Sequence, residues 1–287
     1  MGGRGLVDVL FLGLGYSSQK SAEALTQSYP LTRVLGTSRA GASQAIPFDG
    51  TTPSPALSGV LSRNVTHVIG SIAPDELGDP ALRFHRDDIL RSPNVEWLGY
   101  FSTVGVYGDR DGAWVDERAP LEPENLRSQW RVAAEAQWQS LAAEKGVPLC
   151  ILRLAGIYGP GRSAFDKLRD GTAKRIVKPG QVFNRIHVAD IGRITALAAG
   201  RKLAGIYNLA DDEPAPPQDV ITHAATMLGT APPDEVPFET AQMSPMARSF
   251  YSDNKRVANS AIKRALGIEL LYPTYREGLQ GILEAEK

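Results

Sequence analysis

Val7-Asp8-Val9-Leu10-Phe11-Leu12-Gly13-Leu14-Gly15-Tyr16-Ser17-Ser18 is the stretch that decides how this chain is read. An apolar run stops at Gly-x-Gly and passes into a helix-like segment, Gln19 to Ser28. In such a turn the first glycine, Gly13, permits a tight bend, and the second, Gly15, lets a diphosphate approach the backbone. The helix that follows offers N–H groups and the positive end of its dipole. Tyr16, Ser17 and Ser18 would then lie beside the diphosphate. The third glycine of the pattern is Ser18 here, so the spacing predicts slightly looser packing of helix on strand. The alternative is a chance glycine turn, and position after a first strand argues against it.

The bulk composition fits a chain of this kind. With 287 residues, 43% hydrophobic and 22% charged, it suits one large α/β domain, or one with a small companion. Lys and Arg (31) nearly balance Asp and Glu (32), which argues against nucleic acid or an anionic membrane as partner. The single cysteine, Cys150, sits in the apolar run Pro148 to Leu154 and reads as a buried structural thiol. No apolar stretch has the length of a membrane span, and Met1-Gly-Gly-Arg-Gly leads straight into a strand. A cytoplasmic enzyme or binding protein is the expectation. Histidines and cysteines are too few, and at no ligand spacing, for a metal site.

Strand-like runs at Val7–Leu12, Arg33–Thr37, His67–Ser71, Val95–Ser102, Leu149–Leu154 and Ile206–Leu209 alternate with helix-like ones. The helices are expected at Ala22–Ser28, Pro80–Leu90, Leu126–Lys145 and Ala189–Arg201. That alternation predicts an α/β fold with a doubly wound parallel sheet. Trp130, Ala134, Trp138 and Leu141 mark the buried stripe of the longest helix, and Lys145-Gly146 marks its end. One connection is irregular. Only five residues separate Ser38 from a short strand candidate, Gln44–Phe48, too few for a helical crossover, so either the strand is displaced or the helical layer is incomplete. Beyond Leu209 prolines interrupt short helices. Residues 1–158 with 184–212 are therefore expected to form the dinucleotide domain, and 159–183 with 213–287 a smaller C-terminal substrate lobe.

In a doubly wound sheet the ligand lies at the carboxyl ends of the strands. After the second strand come Ser38 and Arg39. An arginine there suits the 2′-phosphate of NADP, whereas an acid would suit NAD, and a charge-assisted hydrogen bond of this kind contributes roughly 1.5–3 kcal/mol. An exposed loop arginine is the plainer alternative. Ser71, Ile72 and Ala73 follow the next strand and fit beside an adenine or its ribose. Ser102 and Thr103 end the strand after that.

Two further blocks make a resemblance specific: Phe101-Ser-Thr-Val-Gly-Val-Tyr-Gly108 and Leu152-Arg-Leu-Ala-Gly-Ile-Tyr-Gly-Pro-Gly161. With Arg185-Ile-His-Val-Ala-Asp190 and the tail from Tyr251 to Pro273, they resemble the extended short-chain dehydrogenase/reductases, the NAD-dependent epimerase/dehydratase branch, in the same order. The resemblance implies a Rossmann domain with Ala155 and Ile157 beside a bound nicotinamide dinucleotide. It also implies a C-terminal substrate lobe, often for a nucleotide sugar, and pairing into a homodimer through the long helix.

The chain departs from that family where its chemistry is concentrated. The family's Tyr-x-x-x-Lys pair, in which the tyrosine moves a proton, is absent. Aligned on Glu135, the lysine position is Arg131 and the tyrosine position Arg127, and the helix contains no tyrosine. Arginine cannot serve as a general acid or base near neutral pH. Arg131 either holds the cofactor or forms an i,i+4 ion pair with Glu135. Thr103, with Ser102 beside it, is the candidate for polarising the reacting oxygen. Tyr107, Tyr158 and His187 are the remaining proton-transfer candidates, with packing or backbone hydrogen bonding as their alternatives.

Gly161–Arg185 carries seven basic residues against two acidic ones, which would attract an anionic substrate such as a nucleotide sugar's phosphates if it faced the site. The alternative is a solvated charged helix, Phe165 to Lys174; a small anionic or carbonyl substrate is the expected partner. Tyr158, Arg162, Arg185, His187 and Arg248 are the substrate-binding candidates. The expected function is an atypical, NADP-preferring dehydrogenase/reductase or epimerase with NAD as the alternative cofactor. A catalytically silent dinucleotide sensor is the rival.

Overall fold

The computed structural model describes residues 8–39 and 45–286; the expected strand residues Val7 and Gln44 lie outside these. By compactness the chain divides into two units. One comprises Met1–Val106, Leu126–Arg153 and Ile191–Tyr207, the other Tyr107–Asn125, Leu154–Asp190 and Asn208–Lys287.

The first unit is built on a seven-stranded sheet. Across it the strands run Gly205–Leu209, Leu149–Leu154, Trp97–Thr103, His67–Gly70, Asp8–Leu12, Arg33–Ser38 and Ile46–Pro47. Val9, Leu10, Phe11 and Leu12 are fully buried, because helices cover both faces of a central parallel strand. Asp8 begins this strand opposite Arg33 and holds its guanidinium at 2.5 and 2.8 Å, which fixes the register Asp8↔Arg33 and Val9↔Val34. On the other side Val9 pairs His67. Strand order therefore reverses between Asp8–Leu12 and His67–Gly70, and the residues that follow, Gly13 and Ser71, stand at the switch point.

The long helix spans Leu126–Lys145 as expected. Ala134, Trp138 and Leu141 are buried, whereas Trp130 is only half-buried. The Trp138 indole donates to Asp79 at 2.8 Å and stacks on Tyr100, with ring centroids 5.6 Å apart. Gly70 lies under this ring: a Cβ there would stand 2.3 Å from Trp138. Gly146 ends the helix at φ +72°, and the Lys145 ammonium donates to the carbonyls of Leu90 and Ser92. Cys150 is fully buried, and burial pushes its thiol pKa up.

The short strand beyond the irregular connection joins the sheet, and residues 40–44 of the connection lie outside the described residues. Ile46–Pro47 pairs parallel with Arg33–Ser38 at the sheet edge, where a proline costs no ladder bond. A helix the sequence reading omits, Pro55–Leu61, follows it. Ser54 caps its amide end by accepting from Leu57, and Leu57 and Leu61 are buried.

The second unit uses short parallel pairs: Gly156–Tyr158 with Arg185–His187, Arg175–Val177 with Glu235–Pro237, and Trp114–Val115 with Arg256–Val257. Its core gathers Tyr158, Phe165, Ala224, Tyr275, Leu279 and Ile282. Tyr107–Asn125, expected with the dinucleotide domain, groups here because Asp109 accepts the Asn254 amide at 2.7 Å and the Gly108 carbonyl accepts Lys255 at 2.7 Å. Residues 154–158 and 184–190 group here as well, tied by the Gly156↔Arg185 register. Among the described residues no helix is long and apolar enough to cross a membrane.

Candidate functional site

The glycine turn is open on its outer side. Gly13 adopts φ +102°, a conformation that favours glycine, and its amide donates to the Thr37 hydroxyl at 2.8 Å. A Cβ on Gly13 would stand 2.9 Å from the Ser71 hydroxyl, whereas a Cβ on Gly15 would meet nothing within 4 Å. The helix Tyr16–Ser28 starts here with no side-chain cap and no acid in its first turn, so its positive end is uncompensated by its own side chains. Tyr16 and Ser17 are half-buried at its start. Ser18 is buried and shares a hydrogen bond with the Ser71 hydroxyl at 2.9 Å, and Ser71 also reaches the Gly13 carbonyl at 2.5 Å. The serine in place of the third glycine thus knits turn and helix together and does not loosen them.

Around this turn, Ser38 is half-buried and Arg39 exposed at the end of the second strand; Ile72 is half-buried and Ala73 exposed. A diphosphate suits the turn on these observations: among the described residues nothing lies within 4 Å of where a Gly15 Cβ would stand, and the helix that starts here brings amide donors and its positive dipole end.

Ser102 and Thr103 diverge. Ser102 is buried and donates its hydroxyl to Glu135, which a bidentate contact with the buried Arg153 also holds, at 2.7 and 3.1 Å. Thr103 is half-buried; its hydroxyl oxygen accepts the Gly105 amide at 3.1 Å and keeps its proton for donation. Arg131 makes no pair with Glu135, because that carboxylate is turned inward to Arg153. Its guanidinium donates instead to the Tyr100 hydroxyl and the Phe101 carbonyl, both at 3.0 Å, and lies 5.6 Å over the Tyr100 ring. Burial pushes the Tyr100 phenol up, so that group stays protonated.

In the second unit Tyr107 is fully buried and donates to Asn208 at 2.7 Å. Ala155 is buried with its amide on the Leu209 carbonyl, and Ile157 is half-buried. Tyr158 and His187 face each other from paired strands, with ring centroids 5.1 Å apart. His187 accepts the Ala189 amide at Nδ1, and burial pushes its pKa down to about 4, so it is neutral. Arg162 is exposed beside the Gly159 bridge, and Arg248 donates to the Ala241 carbonyl and stacks 4.8 Å over Phe238.

The expected excess of positive charge in Gly161–Arg185 is largely spent inside the unit. Arg169 binds Glu286, Arg175 binds Glu235, and Lys174 and Lys178 donate to the carbonyls of Gln242 and Tyr251. Two features escaped the sequence reading. One is the buried Glu135–Arg153 pair, signalled only by an arginine inside an apolar strand. The other is Asp211, a buried carboxyl after the strand Gly205–Leu209 whose Oδ2 has no partner. Among the described residues no cluster of three or more His, Cys, Asp or Glu could hold a metal ion.

Residues 88–210 match the profile of the NAD dependent epimerase/dehydratase family. A solved structure described as a functionally unknown conserved protein from Silicibacter pomeroyi DSS is 46% identical, with 97% of this chain and 98% of that one covered at a TM-score of 0.86. The human epimerase family protein SDR39U1, solved with NADPH, shares the fold at 17% identity over 96% of this chain and 99% of its own, TM-score 0.71. A Streptomyces 3-diazoavenalumate denitrifying reductase is 29% identical over 181 residues; the match spans 58% of this chain and 58% of that protein, under two thirds of its length. Over residues 88–210, therefore, the chain carries the sequence pattern of the NAD dependent epimerase/dehydratase family, on a fold shared almost end to end with the Silicibacter protein.

Proposed function

We propose that this protein is an NADP-preferring oxidoreductase or epimerase of small substrates. The observation that carries the reading is the open space before Gly15 at an uncapped helix N-terminus, with Gly13 bent at φ +102° just ahead of it. The dinucleotide, when bound, supplies or takes up a hydride. The amides that open Tyr16–Ser28 hold its diphosphate, and Arg39 pairs the ribose 2′-phosphate. Thr103 donates its hydroxyl proton to the substrate oxygen, since that hydroxyl already accepts from Gly105. The NADPH in the human relative and the reductase name of the Streptomyces one support this reading. A cytoplasmic setting and a homodimer built on Leu126–Lys145 belong to the same proposal.

The rival reading, a silent dinucleotide sensor, draws on Arg131 and Ser102, whose polar groups are already engaged by Tyr100, Phe101 and Glu135. Titration with NADPH and NADH, followed by nicotinamide fluorescence, tests the shared premise; no binding of either ends both readings. Tight binding without turnover on a panel of carbonyl and nucleotide-sugar compounds leaves the sensor.

A further inference from the structure

We propose that Arg185 and Asp211 form a recognition site for an anionic oxygen group, a carboxylate or a phosphate, carried by the substrate. The two residues are joined through the backbone: the Asp211 amide donates to the Arg185 carbonyl at 2.6 Å. Their side chains nevertheless make no ion pair. The Arg185 guanidinium donates only from Nη1, to the carbonyls of Phe183 and Ala215 at 2.9 and 3.1 Å, which leaves Nε and Nη2 unbonded. Asp211 is 1% exposed; its Oδ1 accepts the Glu213 amide and its Oδ2 has no partner.

A buried carboxyl and a neighbouring guanidinium that do not meet are both satisfied by a third group placed to accept from each. Burial pushes the Asp211 pKa up to about 8 although Arg185 opposes the rise, so near neutral pH this carboxyl carries a proton and donates. Guanidinium N–H groups and a carboxylic acid proton are all donors, so a group that accepted from both would be an oxyanion. The phenols of Tyr158, Tyr251 and Tyr275 are the other electrostatic neighbours of Arg185. His187, two residues along the same strand and hence on the same face, is buried with Nε2 unbonded. The charged groups that bear on Asp211 are Arg185, Glu213 and Asp212, and Asp211 in turn acts electrostatically on the Tyr158 phenol.

The proposal rests on the enzymatic reading only in calling the bound group part of a substrate. Its test uses the full chain, with benzoate and inorganic phosphate as probes, in calorimetric titrations at about pH 7 and about pH 9. At least one anion should bind at the lower pH and more weakly at the higher, where Asp211 ionises and repels it. Benzoate alone identifies a carboxylate, phosphate alone a phosphate, and both the shared chemistry. Arg185→Met should weaken binding about tenfold or more. Asp211→Asn, which keeps an N–H donor, should bind at both pH values alike. No binding of either anion, or equal binding by Arg185→Met, overturns the proposal. If that variant does not fold, wild-type binding that is unchanged between the two pH values overturns it. NADPH titration of the same samples separates the two ideas, since loss of cofactor binding speaks against the enzymatic reading and leaves the anion result standing.

Discussion

Replacing Glu135 by alanine should destabilise the first unit by about 3–5 kcal/mol, the usual cost of removing one partner from a buried ion pair. Glu135 and Arg153 are 3% and 2% exposed, so neither can turn to water. The carboxylate accepts from Arg153 at 3.1 and 2.7 Å and from the Ser102 hydroxyl. Alanine would leave a guanidinium charge inside the unit without this counter-charge, and would strip a buried hydroxyl of its acceptor as well. Urea unfolding suits the measurement, because it does not screen charge as guanidinium chloride does. Tryptophan fluorescence reports it, since Trp97, Trp130 and Trp138 all belong to the first unit. The double variant Glu135→Leu, Arg153→Met should cost clearly less than the two single changes added together, because no lone charge stays behind. A loss below about 1 kcal/mol for Glu135→Ala, or strict additivity in the double variant, would refute this account of the pair.

Other outcomes follow from the same geometry. Arg39→Ala should weaken NADPH roughly 10- to 100-fold and leave NADH nearly unchanged; equal losses for both remove the proposed 2′-phosphate contact. Gly70→Ala, which puts a Cβ 2.3 Å from the Trp138 ring, should cost about 1–3 kcal/mol by overpacking, read in the same urea titration; a neutral result would mean that the ring shifts freely. His67 and His187 are both buried with pKa pushed down from 6.5 to about 4. Each is neutral when folded and takes a proton on unfolding, so the stability present above about pH 6.5 falls as the pH drops toward about 4, by at most about 3 kcal/mol per histidine. Urea midpoints that stay level across that window would contradict the burial of both rings.

Much of this architecture is written locally in the chain. The alternation of apolar runs with helix-like segments places the central strands, because a strand covered on both faces must be apolar at consecutive positions. The turn Gly13-Leu14-Gly15 is equally readable, since only glycine suits a left-handed bend with a ligand against the backbone. Leu126–Lys145 announces itself by its stripe and its terminal Lys-Gly. Other features depend on neighbours distant in sequence. Glu135 could face Arg131 one turn earlier on its own helix, and only the sheet beneath brings it Arg153. Ser71 reads as a ligand-flanking residue, yet the fold uses its hydroxyl to tie Gly13 to Ser18. The positive segment Gly161–Arg185 looks like an anion-attracting surface until its cations meet Glu235, Glu286 and backbone carbonyls. Asp211 carries no local mark at all. Periodicity and turn chemistry act between residues a few positions apart, whereas the partner of a charge is set by which strands and helices come to lie side by side, and that is decided only when the chain has folded.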